Sequence, residues 1–174
     1  MARRTLEDHL RIAAKIIRGN IMTYKMYKAD SDQRDIVELL HGQAWQIGQT
    51  IFPINNPSGK MSVEARQGLI DGTLTRSQLC KEHFHPRVQA GIDILLHFED
   101  IEIDMNVLIE MIRKYSQTHL VLKEQNMDLK KLNSRKSNHP LKNASWQKQY
   151  KYLKIVLVDA IDMRRYNSKK ALAA

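Results

Sequence analysis

The chain has 174 residues, one cysteine and a formal net charge of +9, a length that suits one domain, or one small domain with helical extensions, and can bury a core without staples. A single cysteine, Cys80, excludes an internal disulfide framework and any multi-cysteine zinc site, and points to a reducing compartment. No apolar run is long enough to cross a bilayer, and the opening MARRTLEDHL lacks the apolar centre of a secretory signal, so a cytoplasmic protein away from the membrane is expected.

In chain order, Thr5 with Asp8 three places on forms a near capping box. Leu6, Leu10, Ala13, Ile17 and Ile21 then recur at helical spacing, with Gly19 near the predicted end. Ser31 is the expected cap of a second helix carrying Ile36, Val37, Leu40, Ala44 and Ile47. FPINNPSGK, residues 52–60, reads as a loop because prolines, asparagines and a glycine crowd it. It divides an N-terminal helical region, 1–60, from a core with a basic C-terminal segment, 61–174. Ser62 begins a short helix closed by Gly72, and Thr75 caps a further turn. After Pro86, VQAGIDILLHF reads as a mostly buried helix. Residues 99–104 are acidic and read as solvation and capping, with Asp104 capping MNVLIEMIRKYSQ. THLVL, 118–122, has strand character, KEQNMDLKKLN returns to helix, and the tail from 144 is mainly helical, although KIVLV also fits a short strand.

The surplus charge is localised. Residues 130–154 hold eight Lys/Arg (Lys130, Lys131, Arg135, Lys136, Lys142, Lys148, Lys151, Lys154) and no Asp or Glu, leaving 20 basic against 19 acidic side chains elsewhere. Such a block attracts polyanions, most simply nucleic acid, by counterion release. Trp146, Tyr150 and Tyr152 lie among these cations and suit either a binding surface or packing beneath a helix.

CKEHFHPR, 80–87, sets Glu82 beside His83, with His85 and Pro86 following. Hydrolysis of a phosphodiester with one metal needs a hard divalent cation held by oxygen ligands and a neutral imidazole to take a proton from water. Glu82 and His83 supply one such oxygen and one base. HFH puts His83 and His85 on one side of an extended segment, and of the two His83 is preferred as base. Arg87 suits a bidentate phosphate contact. In THLVLKEQNMDLKKL a strand runs into a helix that carries Asn126 in its first turns, a second oxygen donor. His119 either contacts phosphate or serves the packing of its strand. Cys80 has no thiol-protease partner and reads as inert.

EHFHPR followed by HLVLKEQNMDLKKL resembles the HNH, or ββα-metal, endonucleases, and phage-type free-standing homing endonucleases in particular. The resemblance covers roughly residues 75–160. It implies a mainly α (α+β) protein with a small β-hairpin and helix as catalytic core, acting as a metal-dependent DNA endonuclease. Glu82 and Asn126 would hold Mg²⁺, or Mn²⁺ in its place, with no zinc, while His83 acts as base with His85 as its competitor. Arg87, His119, Lys130, Lys131, Arg135, Lys136, Lys142, Lys148 and Lys151 would meet double-stranded DNA. A phage-encoded member would work in the host cytoplasm, and a homodimer would give one site per strand. A non-catalytic helical DNA-binding protein is the alternative. No P-loop, dinucleotide fingerprint or PD-(D/E)xK pattern is present.

Overall fold

A computed structural model describes residues 4–83, 85–134, 136–142 and 144–161. The described chain is α+β, and its contacts gather into two units.

Helix formers and apolar stripes build the first unit, Met1–Asn56 with His83–Thr118. Helix α1, Leu6–Ala29, starts at the expected box: Thr5 Oγ1 accepts from Asp8 N at 3.2 Å and Asp8 Oδ2 accepts from Thr5 N at 2.8 Å. It does not stop near Gly19, because buried Ile21 and Tyr24 carry the apolar stripe onward. Helix α2, Gln33–Ile51, is capped by Asp32 rather than Ser31: Asp32 Oδ1 accepts from Arg34 N and Asp35 N, whereas the Ser31 hydroxyl donates back to Tyr27 O. Helices α4, Arg87–His97, and α5, Met105–Tyr115, complete this unit, and Asp104 caps α5 as read from the sequence. Of the other acidic residues, Glu99 meets the Lys28 ammonium and the Tyr24 hydroxyl. Leu10, Ile17, Ile47, Ile94, Phe98 and Leu108 are among the fully buried side chains of the common core. Helices α2 and α4 approach closely at Gly91, where a Cβ would lie 2.1 Å from the Ala44 carbonyl oxygen.

The second unit, Pro57–Glu82 with His119–Ala174, holds most of a sheet of order β2-β3-β1-β4. Its strands are β1, Asn56–Ser62, β2, Leu79–His83, β3, Gln117–Leu122, and β4, Leu157–Asp159. Strand β1 lies largely in the segment predicted as a loop. The proline signal misled because β4 pairs only with residues 60–62 (Lys60↔Asp159 to Ser62↔Leu157), so Pro57 needs no donor on that side. Helix α3, Val63–Ile70, is capped by Ser62 as expected, and Gly72, at φ 71°, follows its end. Helix α6, Lys123–Leu132, follows β3 without a loop. Helix α7, Trp146–Tyr152, is shorter than the predicted tail helix. Ile155 N donates to Tyr150 O at 2.9 Å across Lys154, whose φ of 56° ends the helix in a Schellman turn, and the chain then enters β4.

The contact grouping follows packing and not chain order. Helices α4 and α5 lie with α1 and α2, and the chain passes between the units within β1, β2 and β3. The extended segment expected to include His85 is also shorter, since β2 ends at His83. Among the described residues no helix is long and apolar enough to cross a membrane.

Candidate functional site

Side chains alternate across a strand, so the two faces of the sheet can be read residue by residue. One face carries Met61, Leu79, Leu120 and Leu122 against α3. The other carries Ser58 from β1, Cys80 and Glu82 from β2, and His119 from β3, a row of polar groups where a purely structural sheet would be apolar. Helices α6 and α7 supply partners for this row. Asn126 and Lys130, one turn apart on α6, present to the same side. The Asn126 side chain bears on the Cys80 thiol and Lys130 is the cation that acts on Glu82, while the Cys80 sulfur itself lies 3.8 and 3.9 Å from the Val121 and Leu122 carbonyl oxygens. The charges of Glu82 and Cys80 both act on the Tyr150 hydroxyl. Glu82, Asn126, Lys130 and Tyr150 are thus linked to one another and to Cys80 electrostatically.

Burial dominates the electrostatics here. It raises the Glu82 carboxyl from 4.5 to about 7, opposed only by Lys130. Burial raises the Cys80 thiol as well, with the Asn126 side chain pulling the other way. Tyr150 is raised by burial and then by Glu82 and Cys80. His119, 3% exposed, is lowered to about 4 by burial; its Nδ1 lies 2.9 Å from Ser58 Oγ, and its ring meets Trp146 edge-on at 5.4 Å. The Oδ1 of Asn126 and the hydroxyl of Tyr150 are buried and have no hydrogen-bond partner among the described residues.

These shifts set opposite pH slopes. Between pH 4.5 and 7 folded Glu82 keeps a proton that the unfolded chain releases, so its contribution to stability falls as pH rises. Between pH 6.5 and 4 folded His119 refuses a proton that the unfolded chain takes, so its contribution falls as pH drops. From 4.5 to 6.5 the two nearly cancel. In His119→Gln the Glu82 slope stands alone: metal-free protein should gain about 1.4 kcal/mol per pH unit on acidification through that window relative to wild type. Urea unfolding at pH 4.5, 5.5 and 6.5 reads this, and parallel profiles for both proteins would contradict it.

The other residues singled out by sequence lie in the helical unit. His83, the last residue of β2, stacks on Phe52 with centroids 3.7 Å apart and an interplanar angle of 17°. His85 is outside the strand, edge-on to Tyr115 at 4.8 Å, and burial followed by Lys114 lowers its pKa. The expected pairing of His83 and His85 on one strand face is therefore not formed. Arg87 begins α4, with its guanidinium over the rings of Phe52 and Trp45.

In the basic segment Lys130, Lys131, Lys136, Lys148 and Lys151 are exposed and Lys142 is half-buried, while Arg135 lies outside the described residues. Lys131 bonds Asp128 at 3.1 Å. Trp146 and Tyr150 pack inward against His119, so they are not the outward aromatics of a stacking surface; Tyr152 is 54% exposed.

Comparison with known protein families, with characterised proteins and with solved structures yields no match.

Ser58, Tyr150 and Cys80 join the site without having been assigned to it from the sequence. Only Cys80 carried a local signal, since it lies two places before Glu82 and so shares its strand face. Among the described residues no three His, Cys, Asp or Glu side chains gather as a ready metal cluster. The candidate oxygen donors are the desolvated Glu82 carboxylate and the Asn126 amide oxygen, which has no partner among the described residues. That set suits a hard cation which keeps several of its waters, as Mg²⁺ does.

Proposed function

We propose that the protein is a metal-dependent DNA endonuclease on a ββα-metal core, of the phage homing type. Strands β2 and β3 with helix α6 would form that core, with α4 and α5 inserted between the strands. The observation that carries this reading is the burial of the Glu82 carboxyl on β2, two places from Cys80, a thiol on which both Glu82 and the Asn126 amide, 44 positions further along than Glu82, bear. Nothing in a structural role calls for a carboxylate buried enough to titrate near 7, or for a buried amide oxygen left without a partner among the described residues.

Glu82 and Asn126 would hold the cation, which supplies charge neutralisation at the phosphate and at the leaving oxygen. The chain's own residues do the rest. His83, next after Glu82 in β2, takes the proton of the attacking water at an imidazole nitrogen. Lys130 lies near Glu82 and adds positive charge to that side of the site. The exposed lysines of 136–151 hold the duplex through its phosphates, which fix position without reading sequence. One such site cuts one strand, so a double-strand break takes two copies.

Incubation with plasmid DNA and Mg²⁺ or Mn²⁺ should give cleavage that EDTA abolishes, and His83→Ala should lower the rate by about 10²–10⁴. Absence of metal-dependent cleavage on plasmid and phage DNA, or full activity of His83→Ala, would sink the proposal. The exposed lysines by themselves favour the second reading, a non-catalytic DNA-binding protein, and binding without cleavage would select it.

A further inference from the structure

The helical unit contains a ladder of four side chains that neither the charge block nor the metal-binding residues require. Trp45 and Phe52 both come from the C-terminal half of α2 and its cap. The Arg87 guanidinium carbon lies 5.4 Å from the Trp45 ring centroid and 4.1 Å from that of Phe52. His83 is stacked on Phe52 at 3.7 Å. Two groups centred this near one phenyl ring must take opposite faces, so the order is Trp45, Arg87, Phe52, His83. A single ring separates the guanidinium from the imidazole.

Arg87 is seated deliberately close to α2. A Cβ at Gly48 would lie 2.4 Å from Arg87 Cγ and 2.6 Å from its carbonyl oxygen, so only glycine admits the arginine stem here. Two aromatic rings lie against the guanidinium, and it makes no hydrogen bond or ion pair to a described residue. A planar fork packed against two rings, with its five N–H donors not spent on described residues, is suited to an oxyanion with two oxygens in one plane. Cation–π contact fixes the group without neutralising it.

We infer that Trp45, Phe52 and Gly48 form a clamp that presets Arg87 to bind a backbone phosphate of the nucleic acid, next to the histidine proposed as base. Arg87 is the binding residue and the two aromatics are positioning residues. The inference rests on the proposed function for its ligand and adds a second anchoring point, at the start of α4, outside the basic segment.

The test is binding of the full-length protein to a 30-base-pair duplex by fluorescence anisotropy, over 50–300 mM salt with Ca²⁺ in place of Mg²⁺. Arg87→Gln should bind about tenfold more weakly and reduce the slope of log affinity against log salt by about one. Arg87→Lys keeps the charge but cannot lie flat between two rings or fork, so it should weaken binding nearly as much with little change in slope. Phe52→Leu should follow Arg87→Lys, whereas Phe52→Tyr, which restores the ring face, should bind like wild type. Thermal melts of each variant separate loss of fold from loss of clamp. Wild-type affinity and slope in Arg87→Gln, or equal binding by Phe52→Leu and Phe52→Tyr, overturns the clamp and leaves the endonuclease reading standing. A wild-type protein that binds no DNA at any salt overturns both.

Discussion

Glu82→Gln is expected to give a protein that is harder to unfold above pH 7 and no longer cuts DNA. The two effects have one cause. A carboxyl held near 7 by burial is costly to ionise in the folded state, and the cost relative to a normal carboxyl at 4.5 is about 3 kcal/mol as an upper bound, less whatever its residual exposure recovers. Glutamine keeps the shape and cannot ionise, so metal-free Glu82→Gln should unfold at higher urea than wild type at pH 8, with the gap closing toward pH 4.5. The same change removes the charged oxygen proposed to hold the cation, and cleavage should fall by at least about 10³. Stability and activity moving in opposite directions distinguish a functional carboxylate from a structural one. A variant that is less stable at pH 8, or that still cleaves, would show that Glu82 serves the fold.

Gly91→Ala should have the largest effect on folding. The added methyl would lie 2.1 Å from the Ala44 carbonyl oxygen and 2.6 Å from its carbonyl carbon and Cα, all backbone atoms that no rotamer change can move. Helices α2 and α4 must separate, and the contacts of Ile47 and Ile94 in the core loosen with them. Overpacking against side chains costs about 1–3 kcal/mol, and a clash with backbone belongs at or beyond the top of that range. Gly42→Ala, in the partner helix α2, provides the control: nothing would lie within 4 Å of a Cβ there, and relief of glycine's chain entropy should raise stability by about 0.5–1 kcal/mol. Circular dichroism melts of the two variants should diverge in opposite directions from wild type. A Gly91→Ala melt that overlays wild type would refute the close approach.

The helices were legible because their signals are local. The Thr5 box, the Asp104 cap and the apolar stripes of α1, α4 and α5 act within a few residues. Strand β1 was not, since Asn56, Pro57 and Gly59 are turn residues by composition, and they become a strand only because β3 and β4 lie alongside. The tail helix was overextended for a similar reason: the stop at Lys154 uses a lysine where glycine is the usual marker. At the candidate site, Glu82 and Asn126 are expected from motif and residue chemistry, whereas the influence of Cys80 and Lys130 on them, one on a strand and one on a helix, is not. Ser58 and Tyr150 carry no sequence mark of their own. The Phe52 contact that arrests His83 spans 31 positions and two elements, beyond the reach of any periodicity.

Because the four-helix unit is assembled from Met1–Asn56 and His83–Thr118, its two halves leave the ribosome with 26 residues of the other unit between them. At typical synthesis rates α1 and α2 wait roughly a few seconds for α4 and α5, with Ala44 and Ile47 uncovered meanwhile. Nascent chains stalled after α2 should therefore be held by chaperones, whereas those stalled well past residue 118 should be released. Expressing residues 1–56 alone would prolong that interval indefinitely and yield an aggregating fragment.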